Sequence, residues 1–187
     1  MNLEELKDEE ISKIVKTGDK DAFGVLVDRY STKLNRYISR FVFNADERDD
    51  LLQNVFIKAY ININSFNDSR SFSPWIYRIT HNEIVNYIRK GKKEVFGIVD
   101  WDVLLPIDLY HNNWGEEINK EQIMEHLEEV IQSIPAKYRE AISLFYLEEK
   151  NYIEISEILK IPISTVGVRL GRAKKLIKKI YLSKYHV

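Results

Sequence analysis

The chain of 187 residues has no cysteine, four prolines, seven glycines and no apolar run long enough to cross a membrane. Without cysteine there is no disulfide and no thiolate metal ligand, which fits a reducing cytoplasm. A membrane span needs roughly 20 consecutive apolar residues, and the acidic first residues are unlike a signal peptide. The few helix breakers, with 44% hydrophobic and 30% charged residues, predict a helical protein with packed cores.

Carboxylates are missing from the last stretch of the chain. The formal net charge is −1, but the charge is unevenly distributed. From Ile158 onward every charged side chain is basic: Lys160, Arg169, Arg172, Lys174, Lys175, Lys178, Lys179 and Lys184. An acid-free basic helix predicts binding to a polyanion, and nucleic acid is the usual one.

The spacing in this stretch predicts a helix-turn-helix. Two amphipathic helices, Tyr152–Leu159 and Ser164–Tyr181, flank Pro162. Ser164 is a suitable N-cap for the second helix. Lys160 stands where such a turn often has glycine, so the turn must accept a side chain there. A helical hairpin with a solvated basic face remains the alternative.

A second basic region precedes an acidic one. Between residues 94 and 129 the acidic side chains outnumber Lys120: Glu94, Asp100, Asp102, Asp108, Glu116, Glu117, Glu121, Glu125, Glu128 and Glu129. The charged side chains of residues 70–93 are all arginine or lysine except Glu83. Two basic blocks on either side of an acidic one predict two nucleic-acid contacts joined by a connector. Apolar side chains in the connector, Trp101 among them, predict packing either in a groove of a partner or against one of the domains. A connector that packs on itself is an equal alternative.

The fold predicted is all-α, with two small helical domains, 1–94 and 120–187, joined by an acidic irregular linker, 95–119. Helical periodicity predicts elements at Leu3–Thr17, Asp21–Phe43, Asp46–Ile61, Phe72–Lys90, Lys120–Ser133 and Ala136–Leu147, before the helix-turn-helix. Because the linker opposes both basic regions in charge, we expect the two domains to associate in a salt-sensitive way when the protein is unbound.

Aromatic and basic residues alternate between residues 65 and 90. Single-stranded nucleic acid is bound by such mixtures, because bases stack on rings while cations follow the phosphates. Trp75 shares a helical period with Ile79 and is expected in the core. The polar loop Phe66–Ser71 is suited to reading an extruded base by hydrogen bonds.

Three motifs, in order, give a family resemblance over about Asp21–Lys93 and Met124–Lys179. The first is Asp46–Tyr60, with Asp50-Leu51-Leu52-Gln53; the second is Phe72-Ser73-Pro74-Trp75-Ile76-Tyr77-Arg78-Ile79. The third is Ile134–Glu140 with the helix-turn-helix. Together they resemble a bacterial RNA polymerase sigma factor of the extracytoplasmic-function (ECF) group.

The resemblance implies three binding surfaces. The clamp coiled coil of the polymerase largest subunit would meet Asp50, Gln53, Asn54 and Lys58. The melted non-template strand of the −10 element would meet Phe66, Asn67, Asp68, Ser69, Arg70, Arg78, Asn82, Asn86 and Arg89, with Lys90 nearby. The −35 duplex would meet Ser164, Thr165, Arg169, Arg172 and Lys175, while the C-terminal domain lies on the flap of the second-largest subunit.

Two departures from the family pattern concern these surfaces. Asn54 stands where the family usually has glutamate, which alters one clamp contact. In the recognition helix, Gly167 and Gly171 replace larger side chains. Because glycine has no side chain to reach a base edge, the DNA contacts should depend more on phosphates and on DNA shape.

The resemblance further implies an anti-sigma factor as a partner, with no cofactor, no metal and no catalytic site. The four histidines are scattered without the spacing of metal ligands. Two other functions stay open on the sequence. One is a stand-alone regulator, which would not need the Asp46–Tyr60 helix; the other is a degenerate relative that occupies polymerase unproductively.

Overall fold

The computed structural model describes residues 3–90 and 129–185, and the regular elements within them are all helical. The helices before residue 91 are α1 (Asp8–Lys16), α2 (Asp21–Ser39), α3 (Ala45–Ile61) and α4 (Phe72–Lys90). After helical residues 129–133 come α5 (Ala136–Ile142), α6 (Tyr152–Leu159) and α7 (Ile163–Tyr185). The predicted all-α class is confirmed.

The chain divides into two compact units, Met1–Lys93 with Ile153–Lys160, and Glu94–Tyr152 with Ile161–Val187. The linker predicted at 95–119 and the start of the helix predicted from Lys120 lie outside the described residues. The proposed domain boundaries at 94 and 120 therefore stay predictions.

Aromatic side chains form much of the core in the first unit. There α1 packs on α2, α2 on α3 and α4, and α3 on α4. Tyr37 of α2 and Tyr77 of α4 are fully buried, with ring centroids 5.5 Å apart. Tyr30 and Phe72 make a second such contact, also at 5.5 Å. These pairs fix α4 against α2, because each ring buries a large apolar area and aromatic pairs prefer particular ring–ring arrangements.

The N-terminal segment is not the single helix Leu3–Thr17 that its periodicity predicts. A 3-10 turn, Leu3–Glu5, precedes α1. Arg29 of α2 explains the interruption: its guanidinium donates to the carbonyl oxygens of Glu4 and Leu6 at 2.7 and 2.9 Å, and to Asp8 Oδ1 at 2.6 Å. Carbonyls bound to Arg29 favour a break, and α1 begins at the anchored Asp8.

The helix predicted to end at Phe43 ends at Ser39. The apolar period continues past this point, and Val42 is fully buried after the helix has ended. Asn44 then caps α3, since its side-chain oxygen accepts the Glu47 N–H at 3.1 Å. An asparagine cap with acidic residues in the first turn is a favourable helix start.

In the second unit α5 packs on α7. A π-helical turn, Ser143–Leu147, continues α5 and accounts for the predicted extent to Leu147. Arg139 is buried and donates to the carbonyl oxygens of Gln132 and Ile134 at 2.5 and 3.1 Å. Burial lowers the pKa of Arg139. Its bonds satisfy carbonyls where residues 129–133 end their helix, which fixes the connection into α5.

Helix α6 has its predicted bounds, and a turn separates it from α7 along the chain. Lys160 follows α6 with a positive φ of 56°, so lysine takes the left-handed conformation that glycine usually supplies. The prediction that Ser164 is the N-cap is wrong, because α7 begins one residue earlier, at Ile163. The carbonyl of Pro162 already accepts the Val166 N–H at 3.1 Å, and Ser164 lies in the first turn.

Candidate nucleic-acid and polymerase interface

The outer face of α3 presents polar and apolar side chains together. Asp50, Gln53 and Asn54 are exposed, and Ile57 and Ile61 follow them at helical spacing with 55% and 69% exposure. Three of the four residues predicted to bind the polymerase clamp therefore share one face. The two isoleucines were not predicted, although they fall outside the inward apolar period of α3. That phase difference is the signal in the sequence that could have identified them.

Lys58, the fourth predicted clamp residue, is linked to α4. Its Nζ donates to Glu83 Oε1 at 2.6 Å, and its side chain is about half exposed. The Tyr87 hydroxyl donates to the Glu47 carboxylate. This hydrogen bond, with desolvation and the negative charge of Glu47, raises the pKa of Tyr87 to about 12. Two polar contacts thus connect α3 with α4 beside their apolar contact.

The loop Phe66–Ser71 is an ordered turn. The Asn67 side-chain oxygen accepts the Ser69 N–H at 3.0 Å and the Ser69 hydroxyl at 2.8 Å. The Arg70 N–H donates to the Asn67 carbonyl at 2.9 Å. An Asx turn of this kind is stabilised by its own side chain. The side chains of Asn67, Ser69 and Arg70 are exposed.

The structure places two of the predicted −10 residues differently. Phe66 is only 4% exposed, and its ring packs on Phe72 and Trp75 at 5.3 and 5.2 Å. Its ring is therefore part of the core and not a surface on which a base can stack. Asp68 accepts from Lys16 Nζ at 2.7 Å and turns toward α1. Trp75, expected in the core, is half-buried against these rings.

One stripe of α4 carries the other predicted −10 residues. Arg78, Asn82, Asn86 and Arg89 are exposed and recur at four- and three-residue intervals. A cleft of about 440 Å³ lies beside the stripe, and its lining includes Asn82, Asn86, Arg89 and Lys58. Amide side chains can both donate to and accept from base edges, and the cations attract phosphates. The resemblance assigned these residues to the −10 strand, but the sequence analysis predicted neither their common face nor the cleft.

The helix α7 has an apolar face and a basic one. The buried face consists of Val166, Leu170, Ala173, Ile177 and Tyr181. On a 3.6-residue period, Ser164, Arg172 and Lys175 lie opposite it and Thr165 lies nearby. Arg169 is closer to the edge of the apolar face, with its Nε buried. By this period four of the five predicted −35 residues lie away from the apolar face, but the Nζ of Lys175 is buried like the Nε of Arg169. The charged residues of the outer surface are basic.

Gly171 lies on the outer surface of α7, and a Cβ placed there meets nothing within 4 Å. Replacing Gly171 with alanine should therefore stabilise the protein by about 0.5–1 kcal/mol, because alanine loses less backbone entropy in a helix. The urea midpoint should rise. Gly24→Ala in α2 is the matched control, since its Cβ also meets open space. A midpoint lowered by Gly171→Ala alone would show that α7 packs more tightly at this position.

Within residues 3–90 and 129–185, no group of three or more histidine, aspartate or glutamate side chains is placed to hold a metal ion. In the same part of the chain, none of the helices has the length and apolar character needed to cross a bilayer.

The sequence matches the family model for sigma-70 region 2 over residues 26–94 and that for sigma-70 region 4 over residues 124–177. It is 36% identical over 173 residues to the ECF RNA polymerase sigma factor SigW of Bacillus subtilis, covering 89% of this chain and 92% of that protein. It is 35% identical over 182 residues to the ECF RNA polymerase sigma-E factor of Escherichia coli K12, covering 93% and 94%.

Two solved structures have a similar fold. CnrH, in complex with the cytosolic domain of CnrY, superimposes with a TM-score of 0.69 over 95% of this chain and 98% of that chain, at 20% identity. The sigma factor RpoE of Bartonella quintana, in complex with the anti-sigma factor NepR, gives a TM-score of 0.64 over 87% and 98%, also at 20% identity. At this identity the likeness concerns the fold.

The matched regions are those of the sigma-70 class of transcription initiation factors. Within that class, this chain belongs to the ECF RNA polymerase sigma factors. Its function is to direct core RNA polymerase to promoters at the start of transcription. The resemblance found in the three sequence motifs is confirmed.

Proposed function

We propose that this sigma factor acts through three surfaces: the outer face of α3 for the polymerase clamp, the turn at residues 67–70 with the α4 stripe for the melted −10 strand, and the outer face of α7 for the −35 duplex. The observation that carries this is the stripe Arg78, Asn82, Asn86 and Arg89 beside its cleft. The protein works by binding, without catalytic chemistry of its own, in the cytoplasm where polymerase acts.

The −10 surface separates two tasks. Exposed Asn67 and Ser69 offer hydrogen-bonding groups to the edge of an extruded base. Cations on α4, with Arg78 and Arg89 at the two ends of the stripe, follow the phosphates of the unpaired strand. Phe66 and Phe72 support the turn from below by packing in the core. We therefore revise the role of Phe66 from base contact to support.

The α3 surface fits a protein partner. Exposed Ile57 and Ile61 continue the face that carries Asp50 and Gln53, and apolar groups next to charges are typical of a specific protein interface. The flap contact of the C-terminal domain follows from family membership. An anti-sigma factor covering the α3 face would prevent clamp binding; RpoE, which has a similar fold, was solved in complex with the anti-sigma factor NepR.

The outer face of α7 gives a direct test of the −35 assignment. Replacing Arg172 with alanine should weaken binding to promoter duplex about five- to tenfold and reduce the slope of log affinity against log salt by about one, because a phosphate contact is lost. Replacing Arg169 as well should weaken it further. Fluorescence anisotropy of a labelled −35 duplex over a series of salt concentrations measures both quantities.

Lys184→Ala supplies the control. It removes the same charge from α7, but twelve residues further along, where Lys184 is bonded to Glu129. Run-off transcription with purified core polymerase completes the test, using a promoter recovered by mapping holoenzyme on the genome. Unchanged initiation with both arginines replaced would contradict the assignment of α7, and an absence of polymerase-dependent initiation by the unmodified protein would contradict the whole proposal.

A further inference from the structure

The first helix, α1, binds the turn that precedes α4. Ser12 Oγ donates to Asp68 Oδ1 at 2.9 Å, and Lys16 Nζ donates to the same oxygen at 2.7 Å. Lys16 Nζ also donates to the carbonyl oxygen of Phe66 at 2.6 Å. One α1 side chain therefore holds both a backbone group and a side chain of the turn, across 52 residues of sequence.

The far end of the turn is held by the same helix. Glu9 Oε1 accepts the N–H of Phe72, the first residue of α4, at 2.9 Å. The first N–H groups of a helix have no partner within it, and a carboxylate there also suits the positive end of the helix dipole. Glu9, Ser12 and Lys16 recur at three- and four-residue intervals, so one face of α1 fixes the turn on both sides.

The Lys16–Asp68 contact is partly sheltered, with the two side chains 20% and 25% exposed. Desolvation of Asp68 opposes its ionisation, but the hydrogen bonds from Lys16 and Ser12 and the positive charge of Lys16 outweigh it and lower the pKa of Asp68. Asp68 is therefore a carboxylate at neutral pH, and its bonds to α1 are charge-assisted, the stronger kind of hydrogen bond.

Holding Asp68 inward has a consequence for its neighbours. The turn conformation in which Asp68 reaches α1 is the one in which Asn67 and Ser69 are exposed and bonded to each other. If Asp68 were released from α1, only the Asx turn would orient the side chains of Asn67 and Ser69. Their conformation would then be less restricted. A base reader gains affinity when its polar groups are held in place before binding.

We propose that Glu9, Ser12 and Lys16 are positioning residues for promoter recognition: from α1, they hold the turn at residues 67–70 in the conformation that reads the melted strand. This inference rests on the proposed function of the turn. It extends the −10 determinant to a helix that precedes the region 2 match beginning at residue 26.

The central test replaces Lys16 with methionine, which keeps the length of an apolar stem and removes the bonds. Holoenzyme with this variant should bind a labelled single-stranded −10 oligonucleotide about five- to tenfold more weakly, while its affinity for core polymerase is unchanged. Lys13→Met is the matched control, because Lys13 is on the same helix and exposed. It acts on Asp68 only through its charge. Lys16→Arg should retain most of the affinity that Lys16→Met loses, because arginine can also donate to Asp68.

The preference for particular bases distinguishes positioning of the turn from a purely structural role of Lys16. Oligonucleotides substituted at each −10 position in turn should show flattened preference at the base read by the turn with Lys16→Met, and unchanged preference at the others. Asp68→Asn should add little to the loss in Lys16→Met, because the two residues share one contact. A uniform loss across all oligonucleotides, or Lys16→Met binding as Lys13→Met does, would overturn the inference. If the unmodified holoenzyme binds no −10 strand, the proposed function itself fails.

Discussion

Replacing Asp50 with lysine should weaken association with core polymerase by at least about 30-fold, since reversing a charge in a protein interface removes an attraction and adds a repulsion of 2 kcal/mol or more. Asp50 lies on the exposed face of α3 and projects away from the buried Leu51 and Val55. The loss should therefore appear in binding and leave folding nearly unchanged. Surface plasmon resonance with immobilised core polymerase measures it, and run-off transcription should decrease in parallel.

Asp49→Lys is the control for this experiment. Asp49 is also exposed, and its replacement changes the net charge by the same amount. It lies about 100° away from Asp50 around the helix axis. Its effect should be limited to general electrostatics, a few-fold at low salt, and should diminish as salt is added. Equal losses for the two variants would mean that polymerase responds to the charge of α3 as a whole and that the outer face is not a specific contact.

The largest loss of stability is expected for Phe72→Ala. The Phe72 ring is fully buried and contacts the rings of Tyr30, Phe66 and Trp75 at 5.3–5.5 Å. Truncating it leaves a cavity among three aromatic rings. Replacing a buried phenylalanine with alanine lowers the free energy of unfolding by about 3–5 kcal/mol. Since whole domains are stable by only about 5–15 kcal/mol, the first unit should be partly unfolded near 37 °C.

Phe43→Ala makes the same chemical change at a residue that is 67% exposed. Its effect should be within about 0.5 kcal/mol. Urea unfolding followed by circular dichroism gives both values. At temperatures where Phe72→Ala is still folded, −10 binding should be reduced more than −35 binding, because the turn has lost its support. Similar stabilities for the two variants would contradict the core that the aromatic contacts describe.

Much of the secondary structure could be predicted from the sequence. The predicted bounds of α4 and α6 match the structure residue for residue, because Phe72–Lys90 and Tyr152–Leu159 have an apolar period and clear end signals close by. The start of α7 was missed by one residue, since serine is a good cap and so outweighed Pro162 in the prediction. Errors of this kind arise where two local signals compete for one helix end. Here the two signals, Pro162 and Ser164, are two residues apart.

The candidate site was predictable in part. The residues on one face of a helix follow from its period, so the stripe of α4 and the outer face of α3 are already present in the sequence. The polarity of the loop before α4, however, led to a wrong prediction for two of its residues. Its aromatic member, Phe66, packs in the core, and its acidic member, Asp68, binds Lys16. No local pattern reports the contacts that Lys16 makes with this loop, because they join residues 50 or more positions apart.

The sequence by itself determined the all-helical class, the basic character of α7 and, through three motifs, the sigma factor family. These depend on periodicity, composition and residue order, which are local properties. Only the tertiary structure decided that α1 holds the turn at residues 67–70, that Arg29 interrupts the N-terminal helix, and that Phe66 supports this turn from the core. The reason is physical: burial and hydrogen-bond partners depend on which distant segments meet, and that is settled when the helices pack.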